Sequence, residues 1–411
     1  MARSLLLLTA FLLPFSEVLP EIFGINTVFR PYRVIGIAAL ALTFFRAFRR
    51  GQIRADIFHI SYLAIFLWGL SIAFIRYMFG ADINIGFLVS DSTLIVFGFA
   101  FGLAIRQETN TLQQVEQYLL AFTAGLLASL VTYHVLLDLP QIRFSGFYAN
   151  PNSLAFACAI GIATLFSRML TMPRFRTLPV LAIMACIGLL LVTLPQTGSR
   201  GGLVASGVGA AVCSFRLVRQ RFWILLVVGA IAGVGLVKFA WPMVASPVQD
   251  RLEIDEWKDG SGRLDTWAGA LKVSADHYYI GTGVAQYRTH SRAAISSLEN
   301  VKDPRMRKKG VGLVAHSEYL GILAANGAPA LALFVFALAI IYKRLWGRST
   351  MAVTKDSFAP IALLGVLSAL YVAQVAAGFH LAPEFYLVMS LACTAILARS
   401  QPITTAKNPA F

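Results

Sequence analysis

The chain has 411 residues, 57% hydrophobic and 13% charged, with a net charge of +15 and a mean hydropathy of +0.70. Water-soluble domains carry about a quarter charged residues, so polar groups this sparse exclude a soluble globular protein. The positive charge does not indicate nucleic acid as a partner, because most basic residues lie in short segments between apolar runs, which is a membrane-topology pattern.

Apolar runs near membrane-spanning length predict helices over residues 4–22, 32–47, 57–79, 87–105, 113–137, 152–170, 178–195, 201–216, 222–240, 316–342, 357–377 and 380–398. The expected fold class is an all-α polytopic membrane protein with about 12 transmembrane helices and one large periplasmic loop containing short amphipathic helices. Residues 1–240 would hold helices one to nine, 241–315 the loop, and 316–411 helices ten to twelve with a cytoplasmic tail. The N-terminus mimics a secretory signal, with Arg3 before the apolar run Leu5 to Leu13. No small-x-small cleavage site follows, and Glu17 and Glu21 stand where it would be. The segment therefore reads as an uncleaved first span.

Orientation follows from charge. An even number of spans puts both termini on one side. If that side is cytoplasmic, inner segments hold 18 basic residues and short outer loops hold 5: Arg30, Arg33, Arg76, Arg143 and Arg200. That is the asymmetry of the positive-inside rule. The expectation is a bacterial inner-membrane, multi-pass protein with both termini cytoplasmic and the large loop periplasmic.

The loop opens on a charged stretch at residues 251–259. From Arg263 to Ala275, the apolar residues Leu264, Trp267, Ala270, Leu271 and Val273 fall near helical spacing. They predict an amphipathic helix lying on the membrane or over the bundle. Gly281-Thr282-Gly283 predicts a turn. Cys158, Cys186, Cys213 and Cys393 all fall in apolar stretches without CxxC or Cys/His clustering, so no disulfide and no metal site is expected.

Four polar clusters gather on the outer side. Arg143 precedes SGFYANPNSLA, where Asn150-Pro151-Asn152 opens a span. Asn and Pro are common helix-start residues; the functional alternative is polar contact with a ligand at the membrane surface. Thr197-Gly198-Ser199-Arg200-Gly201-Gly202 follows. Its glycines permit close backbone approach, the next helix start offers N–H groups to an anion, and Arg200 can grip a phosphate with two donors. A plain turn between spans is the competing reading. Arg263, Asp265 and Trp267 form the third cluster, where a solvated, snorkelling arginine is the bland alternative. His316-Ser317-Glu318-Tyr319 opens the tenth span. Histidine there is either a plain interfacial residue or a proton-transfer group.

Taken in order, these pieces resemble the O-antigen ligase and O-antigen polymerase superfamily of membrane glycosyltransferases. The matching segments are Arg143 with SGFYANPNSLA, TGSRGG at 197–202, GRLDTWAGAL at 262–271 leading to IGTGVAQY at 280–287, and HSEYLGILAANG at 316–327. The resemblance implies transfer of a glycan from an undecaprenyl-diphosphate-linked donor, without metal or other cofactor and with inversion, to a lipid A–core acceptor or to another glycan repeat. It implies Arg200 and Arg263 as diphosphate-binding and leaving-group-stabilising residues and His316 as the base or orienting group for the acceptor hydroxyl. Arg143, Asn150, Asn152, Ser199, Asp265, Trp267, Glu318 and Tyr319 would bind substrate, with membrane lipids as further partners. The physical chemistry agrees with that assignment. A departing diphosphate gains negative charge, which arginines neutralise in the absence of a metal, and a sugar hydroxyl needs a base. The loop would then act as a lid carrying one arginine over a site built at the span ends.

Ligases often continue His-(Asn/Ser/Gln), nine residues, then Gly-x-x-Gly-Thr. Here His316-Ser317, nine residues and Gly327 fit, but Ala330 and Leu331 replace the second Gly and the Thr. Ligase and repeat-unit polymerase therefore both stay open. A secondary transporter is the alternative of another class. It would show broken helices in paired positions and mid-membrane charges, whereas the ionisable residues here collect at the outer boundary.

Overall fold

The computed structural model describes residues 1–15, 30–137, 143–148, 150–172, 177–217, 249, 262–299, 301, 314–352, 358–376 and 382–398. Among them there is no strand. The helices are α1 (Ala2–Leu12), α2 (Pro31–Arg49), α3 (Ile57–Met78), α4 (Ile85–Glu108), α5 (Leu112–Thr132), α6 (Pro151–Leu170), α7 (Thr177–Gln196), α8 (Arg200–Leu217), α9 (Arg263–Asp276), α10 (Tyr287–Ser296), α11 (Glu318–Ala352), α12 (Ala359–Ala376) and α13 (Pro383–Leu397). By length and composition, seven of the described helices can cross a membrane: α2 to α7 and α11. The chain is a multi-pass helical membrane protein. Four shorter apolar helices, α1, α8, α12 and α13, stand where further spans are expected. The predicted span at 222–240 and the charged stretch at 251–259 lie outside the described residues.

The helix starts are written in the sequence. Asp56 caps α3 by accepting from the Phe58 and His59 amides, and Asn84 caps α4 by accepting from Phe87 N–H. Thr111 and Gln114 form a reciprocal capping box on α5. Asn150 caps α6 through Asn152 N–H, with Pro151 at the first helical position. Each cap satisfies amides that would otherwise lack a partner. Within the first expected span α1 gives way to a 3-10 turn at Leu13–Phe15, and the rest of that span, 16–22, lies outside the described residues. Pro14 accounts for this, since its ring and missing N–H end regular α-helix bonding.

Close packing depends on small residues. A Cβ on Gly98 would meet the Tyr386 ring at 2.3 Å and one on Gly102 would meet Ser390 Oγ at 2.5 Å, so α4 and α13 approach nearly backbone to backbone. At the end of the bundle where α3 starts, a buried brace ties three helices. His59 Nδ1 lies 2.8 Å from Asp56 Oδ1, His59 Nε2 lies 3.3 Å from Ser390 Oγ, and Arg106 Nε lies 3.7 Å from Asp56 Oδ2. Cys158, Cys213 and Cys393 are buried free thiols within helices and Cys186 is half-buried, in keeping with their apolar setting.

The feature that shapes the site is a break in α11. Gly327 has φ 83° and ψ 176° inside an otherwise continuous helix, with Pro329 two residues on. Proline offers no N–H, and Ala328 N–H donates instead to Tyr279 C=O at 2.8 Å. The carbonyls of Ala324 and Ala325 are thereby released from the helix ladder. They accept from Thr282 N–H at 3.0 Å and Gly283 N–H at 2.8 Å. Trp68 Nε1 donates to Asn326 C=O at 2.9 Å, and the Asn326 amide donates to Ile65 C=O at 3.0 Å. The turn expected at Gly281-Thr282-Gly283 is instead an open segment between turns at 277–280 and 284–286, because its amides bond across to α11, and it is inserted between α3 and α11. Val284 N–H donates to Gly69 C=O on the far side at 3.2 Å.

The two short helices on either side of this segment are also pinned. Arg76 Nη1 donates to His277 Nδ1 at 2.8 Å and Nη2 to His290 Nε2 at 3.3 Å, with the two imidazole rings 4.9 Å apart. Burial first, then the neighbouring Arg76 charge, holds His277 below its ordinary range, with Asp276 acting in the opposite sense. Burial, His277 and Arg76 together push His290 down to about 4. Both rings are therefore neutral at neutral pH. The unfolded chain binds these protons near the ordinary histidine value of about 6.5, so stability should fall as pH drops below that value and level off once His290 protonates in the fold. Melting of the detergent-solubilised protein at pH 7.5 and pH 5 checks this. The lower pH should give the lower melting temperature, and His290→Gln should reduce the difference; equal pH dependence in parent and variant would refute it.

Candidate functional site: a cavity at one end of the bundle

A cavity of about 260 Å3 opens where α4, α6 and α11 begin, and its wall includes the body of α3, the segment from Val284 to Arg288 and the approach to α11. Of the residues expected from sequence, Asn150, Asn152, His316 and Glu318 line it. His316 does not enter the helix directly. It sits two residues before Glu318 with φ 51°, in the left-handed region. Ala285, also in the wall, has φ 62°. A non-glycine residue in this region costs about 1–2 kcal/mol, and such strain concentrates at ligand-handling sites. Ser317 C=O accepts from Gly321 N–H at 2.9 Å and begins the α11 ladder. Glu318, almost fully buried, occupies the first turn of α11.

None of the three expected arginines, Arg143, Arg200 and Arg263, is among the residues that line the cavity. Arg143 Nε donates to Thr197 C=O at 2.9 Å and Nη2 to Asn152 Oδ1 at 3.3 Å. It thus joins the turn before α8 to the cavity wall. In that turn Thr197 Oγ1 accepts from Ser199 N–H at 3.1 Å, and Ser199 Oγ accepts from Gly202 N–H at 3.2 Å. Ser199 is therefore a helix cap. Gly202 is needed for contact with α6, since a Cβ there would lie 2.3 Å from Ala155 Cβ. Arg200, half-buried, is the first residue of α8.

Arg263 opens α9 after Gly262, whose φ of 72° turns the chain into the helix. The predicted amphipathic helix is present. One turn along, Thr266 Oγ1 donates to Ala315 C=O at 3.3 Å, beside His316, and Thr266 C=O accepts from Tyr287 Oη at 3.3 Å. Asp265 is buried in the first turn of α9, and Trp267 is half-buried. Tyr319 turns away from the cavity. Its hydroxyl reaches Tyr371 C=O at 3.5 Å and its ring lies 6.2 Å from Phe334, so its contacts bind α11 to α12.

Sequence reasoning missed part of the wall. Asp91, Arg288, Asn326, Tyr62 and Tyr287 all line the cavity. Asp91 carried a legible signal, as a carboxylate inside an apolar span. Arg288 carried none, being one basic residue among several in the loop.

The bundle is that of a multi-pass membrane protein, with a cavity at one end bounded by α11 and the inserted segment together. Residues 183–335 match the family model Wzy_C, described as O-Antigen ligase. The match runs from α7 into α11 and contains Arg200, Arg263, Arg288 and His316, so over that stretch the chain is similar to the O-antigen ligase family. No protein of curated function matches the chain.

Proposed function

We propose that this chain is an O-antigen ligase-like glycosyltransferase of the bacterial inner membrane. It would move a glycan from an undecaprenyl-diphosphate carrier to a hydroxyl of a lipid A–core acceptor on the periplasmic face. The observation that carries the reading is the convergence of His316, Glu318, Asn150 and Asn152 on one cavity whose His316 side lies within the O-antigen ligase match.

In this reaction the acceptor hydroxyl oxygen attacks the anomeric carbon. The bond from that carbon to the diphosphate oxygen breaks, the hydroxyl proton passes to His316, and undecaprenyl diphosphate departs with the electron pair. Attack opposite the leaving group inverts the anomeric configuration. Arg200 and Arg263 neutralise the charge that develops on the diphosphate. Arg143 holds Asn152 in the wall, and Asn150 and Asn152 offer amides to sugar hydroxyls. Residues 1–240 and 316–411 supply the spans and residues 241–315 the lid, with both termini cytoplasmic.

The repeat-unit polymerase is the second reading, favoured by Ala330 and Leu331 standing where ligases often have Gly and Thr. In a deletion strain, free polymer without lipid A attachment supports the ligase, whereas single repeats on core support the polymerase. Single alanine substitutions at Arg200 and Arg263 should abolish transfer in a membrane assay with the proteins still inserted; normal transfer by both would sink their assignment. Transfer should also persist in EDTA. Loss of activity that a divalent ion restores would refute the metal-independent route.

A further inference from the structure

Arg288 is the only arginine or lysine among the described residues that line the cavity. It is the second residue of α10. Its Nη2 lies 3.5 Å from Asp91 Oδ2, and its guanidinium carbon lies 5.4 Å from the centroid of the Phe87 ring. Phe87 and Asp91 are one turn apart on α4, so one helix face supplies both the aromatic platform and the counter-charge. The two members of the pair are unequally hidden. The Asp91 side chain is 7% exposed and that of Arg288 is 25% exposed. A buried carboxylate requires a cation, yet this cation keeps part of its surface toward the cavity. A guanidinium has five N–H donors in a rigid fork suited to phosphate oxygens, and the ion pair runs through one terminal nitrogen.

Resting on the reading of the cavity as a donor site, we propose that Arg288 binds the phosphate-bearing headgroup of the lipid-linked donor. Asp91 and Phe87 hold the guanidinium at the wall until that headgroup arrives. The two ends of the pair then have opposite effects on the ligand: Arg288 attracts the phosphate and Asp91 repels it. A purely structural pair would make both ends equivalent.

The test is titration of undecaprenyl diphosphate, without glycan, onto the purified full-length protein in detergent. Arg288→Ala should weaken binding by about tenfold or more, the loss expected for one charge-assisted phosphate contact. Arg288→Lys should recover part of it, and Asp91→Asn should bind as tightly as the parent or tighter. The double exchange Asp91→Arg with Arg288→Asp should restore the melting temperature but not the binding. Parent-like binding by Arg288→Ala overturns the proposal. So does equal weakening by Arg288→Ala and Asp91→Asn with both properties restored in the double exchange. A parallel titration with phosphorylated lipid A separates the two lipid phosphates, because a loss confined to lipid A would move Arg288 to the acceptor and overturn the donor assignment. Failure of the parent protein to bind undecaprenyl diphosphate would defeat the donor-site reading itself. Normal binding by Arg288→Ala alongside inactivity of His316→Ala would defeat the Arg288 assignment alone.

Discussion

Replacing His316 with alanine is expected to slow glycan transfer by about 10^2- to 10^4-fold, the range for loss of a general base, with the protein still inserted in the membrane. The expectation follows from where the residue sits. His316 is half-buried in the cavity wall and precedes α11, so its removal takes nothing from the apolar core. Its φ of 51° lies in the left-handed region, which histidine adopts more readily than alanine. Asparagine tolerates that backbone better and keeps a hydrogen-bonding group but does not accept a proton. His316→Asn should therefore match the parent in melting temperature and match alanine in its loss of rate. Substantial activity in the asparagine variant would instead make His316 a positioning residue. Transfer measured in membranes, normalised to the amount of inserted protein, decides between them.

Gly327→Ala should damage fold and activity together. At φ 83° and ψ 176° the backbone is in a region open essentially to glycine. An added Cβ would stand 2.2 Å from the Ile280 carbonyl oxygen and 2.6 Å from that of Tyr279. Both obstructing atoms are backbone, in a turn already fixed by hydrogen bonds to Ala324 and Ala325. Relief requires the turn to leave α11, which would remove Val284 and Ala285 from the cavity wall. The cost should be about 3 kcal/mol or more, combining special-backbone strain with lost turn bonds. Gly188→Ala in α7 is the control, since a Cβ there meets nothing within 4 Å. Alanine at a mid-helix glycine stabilises by about 0.5–1 kcal/mol. A Gly327→Ala protein that melts and transfers like the parent would show that the turn does not depend on the break.

Much of the architecture is legible in the chain because bilayer thickness and helix caps act locally. Asp56, Asn84, Thr111 and Asn150 mark helix starts within a residue or two of the predicted spans. The break in α11 is harder to see. Residues 319–342 carry no charge and are apolar apart from Asn326, so hydropathy reads one unbroken span, although Gly327 and Pro329 lie within it. Only the arrival of Gly281–Gly283 shows where the released carbonyls bond. The candidate site is legible in the same partial way. Asn150, Asn152, His316 and Glu318 stand out as polar residues at span ends and meet in the cavity. Tyr319, adjacent to them in sequence, faces α12, because neighbouring residues on a helix point about 100° apart. Asp91 was legible as a carboxylate inside an apolar span, whereas the place of Arg288 depends on a long-range pairing that no local pattern encodes.

The central claim is that glycan transfer takes place in the cavity beside His316. Its most direct test is a structure of the full-length protein in lipid with a non-transferable undecaprenyl-diphosphate glycan bound. The account predicts the diphosphate within hydrogen-bond distance of arginine side chains at the cavity, with the anomeric carbon facing His316. A diphosphate bound elsewhere on the bundle, with the His316 cavity empty, would contradict it.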